Sequence, residues 1–154
     1  MMRKYVLGLA ASLLLSSPAL ATGCNSGAIA TPQPNFTATS GNVAAATATA
    51  TLAAPPAQMR WNITGFEITG LGATAGAGVS VTISGLDAGA GATSTATYSF
   101  ASVTGVTLQD TPLTVSFAAC PITGLPGTAV SISMPSLGSG NTNAAVNIHG
   151  FLSQ

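Results

Sequence analysis

The chain predicts an all-β fold, an antiparallel β-sandwich of immunoglobulin-like or jelly-roll type with about seven to nine strands. Three observations predict it. Apolar and hydroxyl side chains alternate one for one in several separate runs, the period that puts one strand face on a core and the other in water. β-branched residues dominate those runs, and no stretch of ten or more residues carries helical spacing. The connectors between runs are clusters of Gly, Pro and Asn, the residues of tight turns.

Residues 1–21 read as a signal peptide. Arg3 and Lys4 form a positive n-region, Tyr5 to Leu15 is an apolar stretch, Pro18 breaks it, and Ala19-Leu20-Ala21 is a small-x-small cleavage site. The apolar stretch is shorter than the roughly 20 residues a membrane span needs. The working protein is therefore expected to start at Thr22 and to be exported: periplasmic, on the cell surface or extracellular. Residues 22–57 form a low-complexity Ala/Thr/Pro-rich segment, with prolines at 32, 34, 55 and 56 that favour extended backbone. Inside it Ala46, Ala48, Ala50 and Leu52 alternate with Thr47, Thr49 and Thr51, a strand pattern that predicts one or two edge strands.

The sandwich domain is expected over 58–154. Trp61 and Ile63 share one parity, Phe66 and Ile68 the other, with Gly65 between them. A one-residue slip turns every following side chain to the opposite face, so a bulge or bend is predicted at Gly65. Val79, Val81 and Ile83 make the next strand, then Ala96, Tyr98 and Phe100, then Leu113, Val115 and Phe117. Val130, Ile132 and Met134 follow, and Ala144, Val146 and Ile148 make the last. Residues 70–78 (GLGATAGAG), 85–91 (GLDAGAG), 124–127 (GLPG) and 137–143 (LGSGNTN) are predicted as the turns between them.

Charged residues make up only 4% of the chain, against about 25% in average proteins. Without residues 1–21, Arg60 faces Glu67, Asp87 and Asp110: one base against three acids, a formal net charge of −2. One Arg cannot displace the counterions of a phosphate backbone, which excludes nucleic acid as a partner. The same shortage excludes electrostatic docking to anionic lipid. Disorder is not expected, because disordered chains combine low hydrophobicity with high charge and 47% of this chain is hydrophobic.

The two cysteines, Cys24 and Cys120, suggest one disulfide in an oxidising compartment. It would close a loop of roughly 95 residues, worth up to about 4–5 kcal/mol by loop entropy. Ala21-Thr22-Gly23-Cys24 also loosely resembles a lipobox, with Ala where Leu is usual, which would place a lipid anchor on Cys24.

No motif for catalysis, cofactor or metal stands out. His149, with Asp87 or Asp110 and a serine, could be arranged as a hydrolase triad, but no Ser sits in a G-x-S-x-G elbow. No Cys/His cluster has zinc spacing, and three scattered acids do not make a calcium site; Asn141 and Asn143 beside Gly140 offer carbonyl oxygens, but Asn-rich turns form for backbone reasons alone. The glycine-rich stretches lack the G-K-[ST] and following helix of a phosphate loop. Asn35-Phe36-Thr37 and Asn62-Ile63-Thr64 match glycosylation sequons by letter, read as chance behind a bacterial-style signal peptide. The aromatics read as core; exposed, Trp61 or Tyr98 would give a sugar-stacking platform, the basis of a carbohydrate-binding alternative. The Thr47-x-Thr49-x-Thr51 array has the form of a short ice-binding row.

What separates these functions is the absence of guard charges. Soluble β-proteins protect sheet edges with lysine or inward charges, and low net charge favours association. The expected role is therefore non-enzymatic and structural: an assembly subunit, display or adhesion domain that self-associates or pairs with a partner through its β-edges. Gly65-Phe-Glu-Ile-Thr-Gly-Leu-Gly-Ala-Thr-Ala, Gly140-Asn-Thr-Asn-Ala-Ala-Val and His149-Gly-Phe resemble a group of small uncharacterised bacterial and prophage-encoded exported proteins, over residues 58–154. That resemblance implies a compact β-domain on a cell or virion surface and brings no catalytic residues.

Overall fold

The computed structural model describes residues 35–105, 111–117 and 120–154. Residues 1–21, expected to be a signal peptide, Cys24 and Asp110 lie outside them. The described chain forms β1 (Phe36–Thr39), β2 (Ala48–Leu52), β3 (Arg60–Leu71), β4 (Ala77–Gly89), β5 (Ala92–Ser102), β6 (Leu113–Ser116), β7 (Ile122–Thr123), β8 (Val130–Met134) and β9 (Asn143–Ser153). They make two antiparallel sheets packed face to face, the predicted β-sandwich. The first sheet runs β1-β9-β3-β6, with β7 also on β3; the second runs β2-β8-β4-β5. No described helix is long and apolar enough to cross a membrane.

Each predicted alternation becomes an inward face. Val81, Ile83, Val130, Ile132, Met134, Val146 and Ile148 are fully buried between the sheets. Burying a side chain of this size contributes about 1.5–3 kcal/mol. The phase change in β3 is a bulge: its register against β9 slips between Ile63 and Gly65. That slip lets Trp61, Ile63, Phe66 and Ile68 all face the core despite their opposite parities. A Cβ on Gly65 would stand 2.6 Å from the Val115 carbonyl oxygen of β6, so the bulge also needs a residue without a side chain.

Two Ala/Thr stretches from the low-complexity segment become edge strands. β1 pairs with β9 and β2 with β8. Ala48 and Ala50 point inward and are buried, while Thr49 and Thr51 point outward.

One expectation is corrected. Residues 85–91 are not a turn throughout: β4 continues through Gly85 to Gly89, and only Ala90 and Gly91 connect it to β5. Gly85 absorbs an extra residue as a bulge, with φ of +83° and the Ala129 carbonyl packed where its Cβ would stand. Glycine clusters mark bulges as well as turns, and here the tertiary contact with Ala129 selects the bulge. The connection itself has φ of 53° at Ala90 and 76° at Gly91, the two positive values of a type I′ hairpin.

Candidate functional site

The outward face of the first sheet gathers the chain's only histidine and one of its three acids. Register does the gathering: Thr37 of β1 lies opposite His149 of β9, and His149 lies opposite Gly65 of β3. Gly65 has no side chain, so the imidazole's neighbour on β3 is Glu67, two residues further on. His149 Nδ1 is 3.1 Å from Thr37 Oγ1, and Nε2 is 3.0 Å from Glu67 Oε1. The second approach is a close contact without hydrogen-bond alignment. The side chains of His149 and Glu67 are 23% and 41% exposed, so water screens the pair. The line borders a shallow depression of about 400 Å³ shared with Asn35, Thr64 and Ser116.

An acid, an imidazole and a hydroxyl in a row have the composition of a hydrolytic triad, so the chemistry turns on what surrounds them. An acyl-transfer site also needs amide donors aimed at the developing oxyanion. Thr37 sits inside a strand, whose N–H groups lie in the plane of the sheet and not towards a hydroxyl above it. The line fits a cross-strand polar ladder that ties β1 to β9 and β3. Sequence offered His149 either Asp87 or Asp110 and not Glu67; Asp110 lies outside the described residues, and Asp87 is engaged elsewhere. It meets Arg60 Nη1 at 3.5 Å across the two sheets and accepts from the Gly89 amide at 2.7 Å.

The two residues named for stacking do not form a platform. Trp61 is 6% exposed; its Nε1 donates to the Ala53 carbonyl at 2.8 Å, and its ring meets Phe36 edge-on at 5.5 Å between centroids. Burial of an aromatic ring beside a satisfied N–H is the core role, which corrects its reading as a ligand-stacking residue. Tyr98 is half-buried on the inward face of β5, 4.9 Å from Phe66 and 6.2 Å from Phe117. Desolvation by burial raises its hydroxyl pKa above the ordinary 10.0.

Sequence reasoning missed a structural clamp. Asn141 is 2% exposed. Its Nδ2 donates to the carbonyls of Leu71 at 2.8 Å and Asn143 at 3.1 Å, and its Oδ1 accepts from the Ala45 amide at 3.3 Å. The side chain joins the β1–β2 connector, the end of β3 and the β8–β9 loop. The Gly-Asn-Thr-Asn wording signals a turn; nothing local signals partners 70 and 96 positions away. Among the described residues no three His, Cys, Asp or Glu side chains are grouped for a metal ion.

Compared with family models, with curated proteins and with solved structures, the chain matches none.

Proposed function

We propose that this is an exported, non-enzymatic structural or surface protein, a subunit that assembles through its sheet edges. One observation carries the reading: none of the strands at the sheet edges, β1, β2, β5, β6 and β7, contains a charged residue or a proline. Edges of that composition are templates for pairing. The resemblance of residues 58–154 to small exported bacterial and prophage-encoded proteins supports a place on a cell or virion surface. Export by residues 1–21 supplies the oxidising compartment in which Cys24 pairs with Cys120, rather than carrying a lipid.

Light scattering and electron micrographs of the purified, oxidised protein test the reading. A dimer, ring or filament supports it. A monomer across a hundredfold concentration range overturns it. Alkylation before and after reduction tests the disulfide. Uptake of two alkyl groups only after reduction supports it, and uptake without reduction removes it.

A further inference from the structure

The four sheet edges are not alike. β1 has 4 residues and β2 has 5. The edge opposite β1 is broken into β6, of 4 residues, and β7, of 2. Short and interrupted edges offer few backbone groups in a row. β5 has 11 residues. It pairs with β4 over its length, and no described strand occupies its other side.

The side chains of β5 are arranged for a particular occupant. Its inward-facing residues are small in the first half, Ser94 and Ala96, and large in the second, Tyr98 and Phe100. Antiparallel pairing of β5 with itself about Thr97 sets the small half of one copy against the large half of the other. Tyr98 of one copy then lies opposite Ala96 of its partner, and Phe100 opposite Ser94. Tyr98 also stands 6.2 Å from half-buried Phe117 between ring centroids, an apolar margin that such a partner extends across. On the outer face no charge opposes approach: Thr95 would meet Ser99 of the other copy, and the two Thr97 would meet at the axis. The outer row Thr49–Ser133–Thr82–Thr97, already in register across four strands, would continue into the second copy.

We infer that two copies of this chain join β5 to β5 across a two-fold axis at Thr97, merging their four-stranded sheets into one. A two-fold contact uses the same patch on both subunits, which the small-to-large gradient of β5 satisfies. The inference rests on the edge-assembly reading and specifies its edge and partner.

The test places a charge on each edge of the second sheet. Thr97 and Thr51 are both exposed, so Thr97→Lys and Thr51→Lys should fold with melting temperatures close to the unmodified protein. Two lysines facing each other at the axis should weaken the dimer roughly a hundredfold, while Thr51→Lys leaves it intact. Mixing Thr97→Lys with Thr97→Glu should restore a mixed dimer, because position 97 then faces an opposite charge. A dimer that survives Thr97→Lys overturns the β5 pairing and leaves edge assembly standing. So does a dimer lost in Thr97→Lys and not recovered by mixing. A monomeric unmodified protein overturns both.

Discussion

The two edges of the second sheet solve the same problem in different ways. At β2 the inward residues are Ala48, Ala50 and Leu52, all 4% exposed or less. Small side chains let the sheets approach, and β2 packs against β9 and β1 of the opposite sheet. The Asn141 clamp holds the β1–β2 connector over that closed side. At β5 the inward residues Ser94, Ala96 and Tyr98 are only half-buried, as are Leu113 and Val115 on β6 of the opposite sheet. Nothing described bridges β5 to β6 by backbone pairing. Among the described residues, one side of the sandwich is covered within the chain, and the other leaves apolar side chains half-buried. The contrast shows that an edge is closed by the size of its inward residues and by cross-sheet partners, not by its hydroxyl-rich outer face, which both edges share.

The largest test of this contrast is a pair of truncations. Ile132→Ala, in β8 beside the closed edge, should cost about 2–5 kcal/mol in urea unfolding because the site is fully buried and cannot collapse. Val115→Ala at the open margin should cost about 1 kcal/mol, since one side of that residue already meets water. Equal losses would break the contrast. Next, Asn141→Ala should cost about 1–2 kcal/mol, as it removes the side chain's hydrogen bonds to Leu71, Asn143 and Ala45 while the backbone bonds from Thr142 to Leu71 and from Ala45 to Asn141 remain. Hydrogen exchange should then rise in residues 41–46 and leave β5 unchanged.

The hairpin that presents β5 gives an effect of opposite sign. Ala90 holds φ of 53°, a conformation that costs a residue with a Cβ about 1–2 kcal/mol and that asparagine tolerates. Ala90→Asn should raise stability by about 1 kcal/mol, seen as a higher melting temperature; a lower one would show that Ala90 has a packing role. The smallest effect is on pH dependence. Burial holds the folded Tyr98 pKa above the unfolded value of 10.0. The associated stability is present below pH 10 and is lost as pH rises through the folded value. Tyr98→Phe should flatten that alkaline decline, and an unchanged decline would assign it to another group.

The strand pattern was legible because burial in a two-layer sandwich imposes a period of two on the residues themselves. Val79, Val81 and Ile83, or Val130, Ile132 and Met134, announce an inward face without knowledge of its partner. The bulge at Gly65 was legible for the same reason, since a change of parity can be read from one strand alone. The role of 85–91 was not, because glycine serves a turn and a bulge equally well and only the Ala129 carbonyl beside Gly85 decides between them. Trp61 was ambiguous from sequence, because an aromatic in a strand is core or platform according to what lies over it; Phe36 and Ala53 cover it.

The sequence by itself determined the all-β class, the placing of most strands and the near-absence of charge. Each of these is a property of neighbouring residues or of composition. The tertiary structure alone decided which residues meet. Thr37 and His149 are 112 positions apart, and Arg60 and Asp87 lie on different sheets. It also decided which edges are short and which is long and open. Antiparallel pairing is set by the registers of whole strands competing for the same core, so partner choice is a property of the complete sandwich and is written in no single segment.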